Sequence, residues 1–167
     1  MTRFRPEDQL AALNRHGVRY VLIGGLAATL HGSTARTADS DICPEKSPEN
    51  MERLATALSE LHARIRTEGV EGGLPFACDA KFFAQIPMTN LVTDAGDMDV
   101  TFEPSGTTGY DDLAQNAVVI DLGGLEVPVA ALEDVIRSKE AANRPKDLAT
   151  LPLLRELLRQ KRVREGG

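Results

Sequence analysis

A chain of 167 residues, 42% apolar and 26% charged, is sized and composed for a single domain with its own core. No run approaches the roughly 18 apolar residues of a membrane span, and the polar, charged stretch from Met1 to Asp8 does not read as a secretory signal. A net charge of −6 argues against a broad basic face that would hold nucleic acid non-specifically.

In chain order, Pro6-Glu7-Asp8 predicts a helix start, with proline and acids in the first turn. Leu10 and Leu13 give that helix its buried stripe, and Gly17 ends it. Val18 to Ile23 reads as a buried strand, Gly24-Gly25 follows, and Leu26 to His31 reads as a short helix. Ala38 to Ile42 is a second strand. Ser47 and Pro48 cap and open a longer helix whose stripe is Met51, Leu54, Ala55, Leu58, Leu61 and Ile65. The glycine-rich stretch 68–75 predicts a loop, and 82–91 is ambiguous between helix and strand. Leu91 to Thr93, the turn Asp94-Ala95-Gly96, and the alternating run Asp97 to Glu103 predict a hairpin. Ala117–Asp121 and Leu125–Val129 flank a Gly123-Gly124 turn. Helices over Ala131–Ala142 and from Pro145 to about Arg162 follow, with Pro152 expected to break or kink the last one. This order predicts an α+β fold: a mixed β-sheet with helices packed on it and a short C-terminal helical part.

The residues that carry chemistry begin with Asp39 and Asp41. At i and i+2 on a strand they point to one side, roughly 6–7 Å apart along the chain. Two carboxylates so placed repel each other unless a cation lies between them, and oxygen ligands suit a hard divalent ion such as Mg2+. The alternative is a solvent-facing acidic turn. The preceding strand and the glycine pair, which lets backbone approach a phosphate, favour a metal–triphosphate site. Asp99 is the third carboxylate of choice, because mid-strand aspartate is unfavourable. Asp97 shares its face but adjoins a turn.

Lys139 falls on the apolar stripe of Leu132, Val135 and Ile136. It either snorkels to water or carries a cation to phosphate oxygens. Asp147 sits in a first helical turn, where it complements the helix dipole. Arg36 is placed to bind phosphate or pair with an acid, and Ser33 to contact phosphate or shape the turn. His31 reads as a local hydrogen-bonder. Arg155, Arg159, Lys161, Arg162 and Arg164 form either a solvated helix end or a contact for RNA or a partner. Cys43 and Cys78 lack metal-ligand spacing and are expected to be reduced thiols in a cytoplasm.

Taken together, Gly24, Gly25, Asp39, Asp41 and Asp99 resemble the signature of the nucleotidyltransferase superfamily with the DNA polymerase β catalytic fold. The stretch Thr93 to Asp99 looks like the hairpin that carries the third aspartate in small bacterial members. Ser138-Lys139 and Arg144-Pro145-Lys146-Asp147-Leu148 look like two further motifs of the AbiEii-type toxins.

The resemblance spans about residues 18 to 158. It implies one nucleotidyltransferase domain over 1–167, with a catalytic core at about 18–129 and a helical part at about 130–163. It implies Mg2+ on Asp39, Asp41 and Asp99, an NTP substrate, and catalytic roles for those three with Lys139 and Asp147. Gly24, Gly25, Ser33, Arg36, Thr37 and Lys139 would bind nucleotide. The acceptor it implies is a tRNA or a protein, within a toxin–antitoxin pair with a cognate antitoxin. Alternatives are an antibiotic-modifying enzyme with a small-molecule acceptor, or a non-catalytic nucleotide-binding or antitoxin-like partner. Ser40 departs from the pattern, replacing the usual apolar residue between the aspartates. The chain also has little room for a separate acceptor-choosing domain.

Overall fold

The computed structural model describes residues 2–166. Helix α1 (Pro6–Arg15) opens on proline with Glu7 and Asp8 in its first turn. Gly17, at φ +68, turns the chain into β1 (Tyr20–Ile23). Gly24, at φ +70, then converts strand directly into helix, so α2 (Gly24–Leu30) starts at the glycine pair itself rather than at Leu26. Strand β2 (Asp39–Pro44) and helix α3 (Pro48–Glu60) follow. The Ser47 hydroxyl caps α3 by accepting the Asn50 N–H at 3.2 Å. Met51, Leu54 and Leu58 on α3 are buried. Each such side chain contributes about 2 kcal/mol of burial.

The expected extent of α3 needs correction. Leu61 caps the helix, His62 takes φ +51, and Ile65 lies in strand β3 (Arg64–Thr67). The stretch 68–75, expected as loop, contains β4 (Val70–Leu74), paired antiparallel with β3. Helical spacing of Leu61 and Ile65 overlaps the alternation Arg64-Ile65-Arg66, and pairing with the sheet decides between them. The ambiguous segment resolves into α4 (Ala80–Gln85), capped by Asp79, and β5 (Met88–Thr93). Strand β6 (Gly96–Thr101) is followed by an unanticipated short helix, α5 (Tyr110–Ala114). The hairpin of β7 (Val118–Leu122) and β8 (Leu125–Val129) matches expectation. Helix α6 (Leu132–Ala142) ends on Asn143 in the left-handed region. Helix α7 (Pro145–Gly166) runs unbroken through Pro152 and extends beyond Arg162.

The strands form one mixed eight-stranded sheet in the order β4-β3-β5-β6-β2-β1-β8-β7. Strand β2 is parallel to β6 and antiparallel to β1, while β5 and β6 form the predicted hairpin. The fold is therefore α+β, as the element order implied. Helix α1 packs on α3 and α3 on α4, whereas α2 packs on α6 and α6 on α7. The apolar core cluster includes Leu22, Ile42, Met98 and Val100 of the central strands, all on the sheet face away from Asp41 and Asp99.

None of the described helices is long and apolar enough to cross a membrane. The basic C-terminal residues are largely ion-paired: Arg155 with Glu140, Arg159 with Glu156, and Lys161 with Glu133. That pairing fits a solvated helix end.

Candidate active site

Strand alternation builds the acidic site. Met98 and Val100 of β6 are fully buried, so Asp97 and Asp99 must face the other way. On β2, Ser40 and Ile42 are buried while Asp39 and Asp41 take the same face as the β6 acids. The parallel register sets Asp41 beside Asp99 and Asp39 beside Asp97. One carboxylate oxygen from each of Asp39, Asp41 and Asp99 lies within 4.8 Å of the others. Asp97 stays outside this triad. The Ser40 hydroxyl, the departure noted above, is buried with no hydrogen-bond partner among the described residues.

Crowding shows in the electrostatics. Burial, the charges of Asp39 and Asp99, and a hydrogen bond with Asp99 push the Asp41 carboxyl up to about 8. Burial, then the charge of Asp99, also raises Asp39. Lys146 acts against both shifts. Three oxygen donors this close, with one carboxylate resisting ionisation, are a donor set suited to a hard divalent cation.

Gly24 makes that arrangement possible. A Cβ there would lie 2.1 Å from Asp41 Oδ2, and the residue already has φ +70. Gly24→Ala is expected to cost about 1–2 kcal/mol in backbone strain alone. It also displaces the Asp41 carboxylate, so a drop in melting temperature should accompany loss of divalent-ion binding. Unchanged ion binding in a folded Gly24→Ala protein would contradict this role. A Cβ on Gly25 would lie 3.0 Å from Thr37 Oγ1, which itself donates to the Asp39 carbonyl at 3.1 Å.

The acids form the floor of a cleft of about 710 Å³ whose opposite wall comes from α6 and α7. Gly24, Gly25, Ser33, Arg36, Thr37, Lys139 and Asp147 all line it. Ser33 is buried and its hydroxyl accepts the Ala35 N–H at 3.2 Å, so it shapes the turn. Arg36 is exposed and has no carboxylate partner among the described residues. His31 lies outside the cleft lining and bonds the Ala130 carbonyl at 2.8 Å.

Asp147 is wholly buried and organises the cations. Lys139 Nζ lies 3.5 Å from its Oδ1, and Arg144 Nε donates to its Oδ2 at 2.7 Å. It pairs with Lys139 and Arg144, and not with Arg36. Burial alone would raise its carboxyl, but the Arg144 hydrogen bond and the charges of Arg144 and Lys139 bring it below the ordinary value. Asp147→Ala leaves two cations without their partner at the start of α7. The expected loss is roughly 2 kcal/mol, less than for a fully buried pair because Arg144 is largely in water. Thermal melting against wild type checks it, and an unchanged midpoint would remove Asp147 from this role.

Three residues on the site were given no role by sequence reasoning. Arg144 and Lys146 line the cleft near the acids but were quoted only as parts of a motif. Arg66 lies 2.7 Å from Asp99 and 3.4 Å from Asp97. The available signal was the two-residue alternation of Arg64 and Arg66 around Ile65.

The chain shares its overall fold with solved nucleotidyltransferases. A candidate nucleotidyltransferase from Thermotoga maritima superposes with a TM-score of 0.54 at 18% identity, covering 95% of this chain and 97% of that one. The lincosamide antibiotic adenylyltransferase LnuA, bound to lincomycin, gives a TM-score of 0.60 at 12% identity over 93% of this chain and 99% of the other. ANT(2″)-Ia, in complex with adenylyl-2″-tobramycin, gives 0.53 at 16% identity, with 95% and 90% covered. No protein-family model matches the chain, and no curated protein matches it in sequence.

Proposed function

We propose that this chain is a metal-dependent nucleotidyltransferase that moves a nucleoside monophosphate from an NTP to a hydroxyl acceptor. The observation that carries the proposal is the triad of Asp39, Asp41 and Asp99 within 4.8 Å, seated against a glycine whose missing Cβ makes room for Asp41. The core at about 18–129 and the helical part at about 130–163 act as one unit, since the cleft between them is lined by both.

Asp39, Asp41 and Asp99 would hold Mg2+. Bound there, the ion supplies Lewis-acid stabilisation of charge on the triphosphate and on the attacking and leaving oxygens. Gly24 and Gly25 let backbone approach the phosphates, and Ser33 and Thr37 line that end. Arg36, Lys139, Arg144 and Lys146 offset phosphate charge. Asp147 positions Lys139 and Arg144. The acceptor oxygen attacks the α-phosphorus, forming an O–P bond. The bond from the α-phosphorus to the bridging oxygen breaks, and pyrophosphate leaves with the electron pair. Asp99 takes the hydroxyl proton.

The acceptor enters from the β5 side. Gly24 and Gly25 place nucleotide toward β1, and β5 lies across Asp99 from there, where Met88 and Asn90 line the cleft. The motif resemblance around Lys139 and Asp147 supports an AbiEii-type toxin acting on a tRNA or a protein, with a cognate antitoxin. A small-molecule acceptor is the second reading, supported by the near-complete overlap with LnuA. Each α-labelled NTP, offered with cell RNA, cell protein and a panel of hydroxylated antibiotics, separates them. Label in RNA or protein supports the toxin reading; label in a drug supports the second. Nucleotide that binds but goes to no acceptor would make the chain a non-catalytic module.

A further inference from the structure

Arg66 pairs with one carboxylate of the triad. Its Nη2 donates to Asp99 Oδ1 at 2.7 Å, while Nη1 lies 3.4 Å from Asp97 Oδ2 and donates to the Leu91 carbonyl at 3.3 Å. Among the described residues no other cationic side chain is ion-paired with Asp39, Asp41 or Asp99. The backbone aims it there. The β3–β4 register shifts between Ile65 and Thr67, so Arg66 sits at an irregularity of the kind that re-aims a side chain. Registered pairs place Asn90, Asp99 and Asp41 in one row across β5, β6 and β2. Arg66 stands at the end of that row, one residue beyond the Ile65–Leu91 pair.

A guanidinium on Asp99 neutralises a carboxylate that a divalent ion would need, and its charge repels that ion. It has a second partner in reach, because Asp97 faces the same side and belongs to no triad. We propose that Arg66 is the resident counter-ion of the triad. It is a positioning residue that holds Asp99 while no metal is bound and withdraws to Asp97 as a divalent cation enters. Arg66 and the metal thus compete for the Asp99 carboxylate, and the cation's apparent affinity is reduced by the fraction of protein in which Arg66 holds it. The proposal rests on the triad being the metal site named above.

Mn2+ titrated into metal-stripped protein, followed by electron paramagnetic resonance without nucleotide, tests this apart from any turnover. Wild type is expected to bind Mn2+ at a site lost in Asp41→Asn. Arg66→Gln is expected to bind it about fivefold to tenfold more tightly, on the scale of one typical net hydrogen bond. Arg64→Gln removes the same charge two residues away on β3 and should change affinity less than about twofold. Arg66→Lys keeps the charge but loses the fork, and should fall between wild type and Arg66→Gln. Arg66→Gln binding no tighter than wild type would overturn the proposal while leaving the metal site standing. So would Arg64→Gln tightening binding as much as Arg66→Gln. Absence of Mn2+ binding in every variant would overturn the metal reading and this proposal together.

Discussion

Asp41→Ala is expected to lower nucleotidyl transfer by roughly a thousandfold or more, the scale of losing a central electrostatic element of a site, while the protein remains folded. Asp41 sits between its partners: it pairs with Asp99 in the β2–β6 register and with Ile23 in the β1–β2 register, directly under Gly24. Its immediate neighbours Ser40 and Ile42 face the core and cannot replace it. Removing it should not damage the core, because its burial is electrostatically unfavourable. Transfer assays and thermal melting, run on the same preparation, check both halves. Turnover near the wild-type rate would remove the triad from the mechanism.

The second large effect is a dependence of metal-free stability on pH. The Asp41 carboxyl is raised to about 8, so the folded chain keeps a proton that the unfolded chain releases. Its contribution is full below the ordinary carboxylate range and is lost as pH rises toward 8. Metal-free wild type should therefore lose melting temperature across that interval relative to Asp41→Asn, by on the order of 5 °C. Asp147 works in the opposite sense, because its lowered carboxyl contributes stability above the ordinary range and loses it in acid. Comparison with Asp41→Asn cancels that second effect. Saturating Mg2+ should abolish the difference at pH 8 by binding only the folded form. Parallel pH curves for the two metal-free proteins would contradict the assignment.

Much of this could be read from residues alone, for definable reasons. The aspartates of β2 and β6 lie in short runs of strict alternation, so their common face follows from a period of two. Asp99 was separable from Asp97 because one sits mid-strand and the other beside the Gly96 turn. Lys139 betrayed itself by interrupting an apolar stripe.

The failures also share a cause. Leu61 and Ile65 are spaced for a helix, and pairing of Ile65 with Leu74 of β4 and with Leu91 of β5 makes the segment a strand. Arg66 was lost with that error, since its contact with Asp99 depends on the same pairing. Helix α5 is too short to show a periodicity. Arg144 and Lys146 belong to a connection whose direction is set by how α6 and α7 pack, which no local pattern records.

The most direct test follows the phosphorus atoms. Wild-type protein with Mg2+, an NTP labelled at both α and γ positions, and the acceptor pools named above should place α label on an acceptor. The γ label should be released as pyrophosphate in equal amount, and neither should move with Asp41→Ala. Appearance of γ label on the acceptor, or release of γ label as free phosphate with α label left in a diphosphate, would contradict nucleotidyl transfer.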